Sequence, residues 1–300
     1  MIPIRYILLE GPDCCGKSTL FNAVHKHSKF KYNIHDRSFL SMLCYAKLYG
    51  RDETFYRNSL KDELCDGNNF MVVLMPSKAT ILGRLSKRGD EFQDAVSIDK
   101  LYDIFADEVK NIQDLPNVLI SRSDNDVETL ANIVVKNVSD YENFTPALIG
   151  AHMKMWTKMS VNDEVQFKVH IQVPESYNDI DILEDKHEGE YYKEILDKCF
   201  VTIQNEISGK NPYGKTQDLE SRRFYYSSDS CISSIHFLPR NEDLKVICTL
   251  RSTNARKNGS IDTRFLAHLS TCIPKTFNWP VKNIHLYINF NSIHIRQDAF

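Results

Sequence analysis

The chain has 300 residues, a net charge of −3 and a pI near 6.4, and 42% of its residues are hydrophobic. That composition excludes a disordered chain and gives no global attraction to nucleic acid or to a membrane surface. No apolar run approaches the roughly 20 residues of a membrane span, and no basic-then-apolar leader precedes the first strand-like run, so a cytoplasmic protein is expected. Three hundred residues exceed what one hydrophobic core usually serves, and two domains are the natural expectation. The eight cysteines (14, 15, 44, 65, 199, 231, 248 and 272) show no paired CxxC or Cys/His ligand spacing and read as free thiols.

In chain order, "RYILLE" (5–10) reads as a strand, followed by a loop and a helix to about 27. A short strand is predicted at 31–36 and a helix at 39–50. "NFMVVLMP" (69–76) is a buried strand, with a helix at 78–89 behind it. Apolar residues at helical spacing mark 98–112, a strand follows at 117–122, and a closing helix at 127–138. Alternation of strand and helix of this kind implies a parallel sheet covered by helices. Turn and polar residues over 139–152 mark a boundary, giving domains of 1–140 and 151–300. Beyond it "EVQFKVHIQV" (164–173) alternates like an antiparallel strand, a helix is predicted near 189–207, and strands at 231–238, 244–250 and 283–296. The second half is therefore expected to be α+β.

The first loop, "LEGPDCCGKSTL" (9–20), carries a complete Gly-x-x-x-x-Gly-Lys-Ser pattern: Gly11, Gly16, Lys17 and Ser18. It lies between a strand and a helix, the setting in which such a loop grips phosphate. Backbone N–H groups from Gly11, Cys14, Cys15, Gly16 and Thr19, with the helix N-terminus, would face the oxygens of ATP. Lys17 would bring a mobile charge to the outer phosphates, and the Ser18 hydroxyl would join a magnesium shell.

Three passages in the first half resemble thymidylate kinases in the family's own order. Glu10 and Asp13 within "EGPDCCGKST" match its phosphate loop, and "HDRSFLSMLCYAKLYGRDE" (35–53) is similar to its Asp-Arg segment. "VVLMPSKATILGRLSKRGDE" (72–91) resembles its strand-Pro-helix passage, which ends in an arginine-bearing lid. The resemblance implies transfer of the ATP γ-phosphate to a deoxynucleoside monophosphate of the thymidylate type. Arg37 would bind the acceptor phosphate, next to Asp36, because a planar fork suits a bidentate oxyanion contact. Arg84 and Arg88, four apart on one helix face, would close over the transferred group. Asp13 would position the acceptor sugar or a nearby cation, and Tyr45 would pack on the base. The chain departs from the family in the short span between Ser18 and Asp36, where nucleobase-pocket elements usually lie, and in Ala46, where a Gln is common. A modified pyrimidine nucleotide, or a nucleotide within DNA, stays open as the acceptor.

The stretch 229–269 is similar to the catalytic region of thymidylate synthase and deoxycytidylate hydroxymethylase. Cys231 falls at the nucleophile, Arg251 and Ser252 at the phosphate motif, Asp262 at the base-reading position, and His294 at the sugar contact. The resemblance implies a thiolate adding to pyrimidine C6, with methylenetetrahydrofolate as the one-carbon donor. An ionised Asp only accepts hydrogen bonds, which favours a base with an exocyclic amine. Ser230, Ile232, Asn254 and Arg296 depart from the family's pattern. A pairing of these two activities would suit a virus that builds an altered pyrimidine pool. Two readings follow. One is an enzyme of deoxynucleotide metabolism whose firm activity is the kinase, acting on nucleotide substrates and expected as a homodimer. The other is a shortened nucleotide-binding scaffold.

Overall fold

A computed structural model of the chain describes residues 2–88, 94–124, 126–143, 165–186, 188–210, 221–254 and 259–294. The chain divides into two compact units, one of Ile4–Asn143 and one of the described residues beyond 144. The expected boundary segment falls partly on the last helix of the first unit, and its remainder, 144–152, lies outside the described residues.

In the first unit the strands are β1 (Tyr6–Glu10), β2 (Asn33–Asp36), β3 (Asn69–Leu74) and β4 (Val118–Ser121), all parallel, in the order β2-β1-β3-β4. Every residue of β3 and all but the first of β1 are buried. Strands covered on both faces read as continuous apolar runs, which is why they were legible as strands. Six helices flank the sheet: α1 (Lys17–His27), α2 (Phe39–Leu48), α3 (Thr54–Leu64), α4 (Lys78–Arg88), α5 (Ala95–Ile112) and α6 (Val127–Glu142). α1 packs on α6, and α2 packs on α3 and α5. Because β1 has β2 on one side and β3 on the other, the crevice outside its carboxyl end is a topological switch point, where open α/β sheets bind ligands.

Two features differ from the sequence expectation. α3 had no prediction, because only Leu60 and Leu64 of its eleven residues are buried and its apolar stripe is too narrow to register. It is held instead by charge: Arg57 donates to Glu53 at 2.8 Å and to the buried Glu108 of α5 at 3.4 Å. α6 runs four residues past 138, because Tyr141 and Glu142 are buried. The Tyr141 hydroxyl donates to the Gly67 carbonyl at 2.8 Å, and Glu142 accepts from the Tyr32 hydroxyl at 2.8 Å.

The second unit is α+β with a mixed sheet of β5 (Val165–Val173), β6 (Tyr225–Ser227), β7 (Ile232–Arg240), β8 (Asp243–Leu250), β9 (Thr253–Asn254) and β10 (Asn283–His294). The order is β5-β10-β8-β7-β6, with β9 beside β10. β10 pairs antiparallel with β5 and parallel with β8. Alternate residues (Phe167, Val169 and Ile171 on β5; Ile284, Leu286 and Ile288 on β10) are buried. Among the described residues its α-helices are α7 (Gly189–Ile207) and α8 (Gly259–Thr276), with a short 3-10 turn at Ile180–Glu184. The sequence reading did not separate α8, since Thr263, Ser270 and Thr271 interrupt its apolar stripe. All three are buried, and their hydroxyls donate to the helix's own carbonyls at Gly259, Leu266 and His268. Hydroxyls satisfied within their own helix can sit in a core, and Thr271 also reaches the Tyr177 carbonyl at 2.9 Å.

Candidate active site

The site begins where β1 ends. The chain turns through Gly11 (φ 135°), Cys14 (φ 60°) and Gly16 (φ 107°), and α1 starts at Lys17. A Cβ on Gly11 would lie 2.4 Å from the Leu74 carbonyl oxygen, so only glycine lets the loop lie against the end of β3. The first N–H groups of α1 have no intrahelical partner, and no acidic residue stands in its first turn, so the helix end favours an anion. Lys17 is buried rather than extended into solvent. Its ammonium donates to the carbonyls of Gly11 at 2.7 Å and Pro12 at 2.9 Å, which ties the loop into a cradle.

Across the cradle, β2 ends at Asp36, whose carboxylate accepts from the Ser18 hydroxyl at 3.3 Å. Arg37 follows with φ 74°, its N–H donating to the Leu9 carbonyl at 2.9 Å. An acidic pair, Glu10 buried and Glu63 half-buried, lies beneath this turn. Glu10 accepts from the Ser38 N–H at 2.6 Å, the Ser38 hydroxyl at 2.7 Å, the Ser41 N–H at 3.1 Å and the Ser41 hydroxyl. Burial pushes its pKa up against these four donors. Glu63 is pushed up to about 7, chiefly by burial and further by the Glu10 charge. Together they clamp the start of α2 immediately after Arg37. A non-glycine residue in the left-handed region is tolerated only where its surroundings over-determine it.

The Arg37 guanidinium pairs with Asp13 of the loop and lies 5.4 Å over the Tyr45 ring, while the Tyr45 hydroxyl donates to the second oxygen of Asp13. Burial and that bond both raise the Tyr45 pKa. From α4, Arg84 donates to the carbonyls of Cys14 at 3.3 Å and Cys15 at 2.8 Å. Arg88, one turn on, faces the same cavity, which has a volume of about 760 Å³. Residues 89–91 of the expected lid lie outside the described residues. Lys17 and four arginines line the cavity against only Asp13 and Asp36, a balance that suits a phosphate-rich ligand.

All the first-half site residues expected from sequence except Gly11 border one cavity: Asp13 to Ser18 with Thr19, Asp36, Arg37, Tyr45, Arg84 and Arg88. Gly11 shapes the cradle from behind. Sequence reading missed Tyr49 and Arg51, which line the same wall. The available signal was Gly50: at φ 61° it ends α2, and the Arg51 N–H turns back to the Ala46 carbonyl at 2.8 Å.

No cluster of three or more His, Cys, Asp or Glu poised for a metal occurs among the described residues. The Ser18 hydroxyl and Asp36 carboxylate do provide two hard oxygens side by side at the cradle's mouth. Such a pair fits a magnesium ion that keeps several waters and takes its other ligands from phosphate.

In the second unit the expected residues separate. Cys231 is exposed just before β7, and the Arg251 N–H donates to its carbonyl at 2.8 Å, with Ser252 next in the chain. Asp262 is 2% exposed under α8, with one oxygen accepting from Tyr192 at 2.8 Å and the other from Thr253 at 3.3 Å. Burial pushes its pKa up to about 7. Enclosed in this way, it is not presented to a base. Of His294 the structure describes the backbone, paired with Asn254.

A phosphate loop at the switch point of a parallel, helix-flanked sheet, with arginines from two further elements facing it, gives the first unit the P-loop kinase fold. Among solved structures, the chain is similar to the YorR protein of Bacillus subtilis in complex with phosphorylated GDP, at 21% identity over 47% of this chain and 99% of that one (TM-score 0.36). It is similar also to deoxyadenosine kinase from M. mycoides with dCMP and a flexible dCDP bound (17% identity, 45% of this chain and 98% of that one, TM-score 0.35). A third likeness, to thymidylate synthase from T4 phage, spans 27% of this chain and 31% of that one at 18% identity (TM-score 0.22). No protein-family model matches the chain, and no curated protein matches it. Scores this low transfer neither substrate nor reaction, which rest on the site's own geometry.

Proposed function

We propose that the first unit transfers the γ-phosphate of ATP to the 5′-phosphate of a pyrimidine deoxynucleoside monophosphate of the thymidylate type. The observation that carries this reading is the placement of Arg37. It follows β2 and pairs with Asp13, whereas Arg84 comes from α4 after β3 and bonds the Cys14 and Cys15 carbonyls, so elements on either side of β1 each bring a cationic fork to the loop, one for a donor and one for an acceptor. In phosphoryl transfer the protein's work is alignment and charge neutralisation. Lys17, released from the carbonyls of Gly11 and Pro12, and Arg84 would hold the donor's outer phosphates. Arg37, fixed by Asp13, would hold the acceptor phosphate in line. The bond between the γ-phosphorus and the β–γ bridging oxygen breaks as an acceptor phosphate oxygen bonds to that phosphorus. Arg88 would meet the charge spread over the transferred group. Ser18 and Asp36 would hold magnesium, which neutralises phosphate charge when bound.

The test is a panel of deoxynucleoside monophosphates, a 5-substituted pyrimidine monophosphate, a short oligonucleotide and free deoxynucleosides, each with ATP and magnesium. Turnover of a pyrimidine monophosphate is expected, with a loss of at least about a hundred-fold in Lys17→Ala. Full turnover by a folded Lys17→Ala protein, or transfer to free nucleosides alone, would overturn the reading.

For the second unit, Cys231 exposed beside Arg251 supports binding of a pyrimidine monophosphate by that edge. Cys231 is the exposed cysteine, Cys14 and Cys272 are half-buried, and the other five are buried. Alkylation followed by peptide mass spectrometry should therefore find Cys231 first. A pyrimidine monophosphate should slow that labelling, whereas ATP should slow labelling of Cys14. Labelling of Cys231 indifferent to every pyrimidine nucleotide would remove this site. A 5-fluorinated deoxypyrimidine monophosphate with methylenetetrahydrofolate would then show whether a covalent adduct forms.

A further inference from the structure

The second unit carries a histidine pair that neither proposed site uses. On β5 and β10 the buried side chains alternate with a second set on the opposite face of the sheet, where His170, His285 and Tyr287 are half-buried. His170 is the cross-strand partner of Tyr287, and His285, two residues earlier on β10, is its diagonal neighbour. The His170 ring stacks on Tyr287 at 4.3 Å and 7°, which fixes the plane of the imidazole. Held in this way, Nε2 of His170 lies 3.1 Å from Nδ1 of His285.

Two imidazole nitrogens that share one ion at about 2.0–2.1 Å lie about 2.9 Å apart at a right angle and about 3.3 Å apart at the tetrahedral angle. The observed 3.1 Å falls between the two. As a hydrogen bond, the pair needs one nitrogen protonated and donating to the other. As a pair of ligands, it needs that proton on the far nitrogen of the same ring, so that both rings are neutral and each offers a lone pair. The exchange moves one proton within one ring and leaves both imidazoles where the stack holds them.

We propose that His170 and His285 form a clip for a borderline divalent ion, zinc or nickel, across β5 and β10. In register, Gln172 and Lys245 flank His285, and Ile247 and His170 flank Tyr287, so no carboxylate stands among these direct partners. Imidazole nitrogens alone suit zinc, copper and nickel, whereas magnesium and calcium need oxygen ligands. Two protein ligands leave the other coordination positions to water, and the Lys245 charge opposite His285 keeps the site weaker than a four-ligand structural one. β5 is the edge strand of this sheet, and the two histidines are 115 residues apart in sequence. A metal clip that closes so long a loop restricts the unfolded chain. The ion therefore fastens the edge of the sheet and carries no chemistry there.

Calorimetric titration of the full, reduced chain with Zn2+, Ni2+ and Mg2+ reads the clip without any turnover. Zn2+ and Ni2+ should compete for one site, and Mg2+ should displace neither. His170→Gln and His285→Gln should each weaken Zn2+ by at least about ten-fold, since even a group that only orients a metal ligand is worth that much. Tyr287→Phe keeps the stack and should bind as the original does. So should His236→Gln, which removes a histidine from the same face on β7, where its ring nitrogen lies 2.9 Å from the Arg222 carbonyl. Scanning calorimetry supplies the second readout: Zn2+ should raise the melting temperature of the second unit over its value in EDTA and leave the first unit unchanged. Where loss of the histidine hydrogen bond lowers the melting temperature of a variant in EDTA, the rise on adding Zn2+ should still vanish. Zn2+ affinity unchanged in both histidine variants, affinity lost in Cys231→Ser instead, or a Zn2+-dependent rise that persists in His285→Gln would each overturn the assignment.

Discussion

Arg37 shows most directly how one side chain's role depends on its backbone. Its left-handed φ turns the guanidinium toward the loop instead of along β2, and the same conformation costs about 1 kcal/mol or more for a non-glycine residue. The four hydrogen bonds into Glu10, two from Ser38 and two from Ser41, offset that cost by fixing the start of α2 directly after Arg37. Arg37→Ala should therefore leave the fold intact and raise the acceptor KM at least ten-fold, with the ATP KM within about two-fold, because a lost charged hydrogen bond is worth about 1.5–3 kcal/mol. Steady-state kinetics with each substrate varied in turn measures both. A rise in the ATP KM with an unchanged acceptor KM would move Arg37 to the donor side. Arg37→Lys should restore only part of the loss, since an ammonium keeps the charge but not the fork.

At the scale of elements, legibility tracked burial on two faces. β1, β3 and the loop between β1 and α1 were plain in the sequence, because a strand covered on both sides is continuously apolar and a phosphate loop needs glycines at fixed spacing. α3 and α8 were not, for opposite reasons. α3 is held by ion pairs to Glu108 and shows little apolar period, and α8 is deeply buried yet studded with hydroxyls that bond back to their own helix. The site followed the same division. Lys17, Ser18, Arg37 and Arg84 were found by motif, but their order around the cavity was not. The burial of Lys17 against the Gly11 and Pro12 carbonyls had no sequence signal. Tyr49 and Arg51 belong to no motif; they reach the cavity only because Gly50 reverses the chain at the end of α2. In the second unit, spacing put Asp262 beside a base, whereas packing encloses it between Tyr192 and Thr253.

Each unit holds one carboxylate whose pKa is raised to about 7, the half-buried Glu63 in the first and the buried Asp262 in the second, and burial also raises Glu10 in the first. In both the leading cause is desolvation, which penalises the charged form. A folded-state pKa above the unfolded value means that the folded chain binds the proton more tightly. The stabilising contribution is then fully present below the unfolded values of 4.5 and 3.8 and is lost as pH rises through about 7. Each group should cost its unit on the order of 1–3 kcal/mol between pH 5 and pH 8. His268 opposes this in the second unit, since burial lowers its pKa and its contribution is lost as pH falls. Asp179 and Lys275 are the charges that act on it. Asp179 and the exposed carboxylates Asp52, Asp94 and Asp126 have lowered values, so their effects fall below this window. Scanning calorimetry from pH 5 to pH 8 should thus show melting temperatures that fall with rising pH, more steeply for the first unit than for the second. Glu63→Gln should reduce the first unit's dependence to the part that comes from Glu10 and raise its stability at pH 8. Asp262→Asn should reverse the second's, leaving His268 to make that unit more stable as pH rises. Melting of the Glu63→Gln protein that kept the original slope would show that Glu63 is ionised in the folded chain.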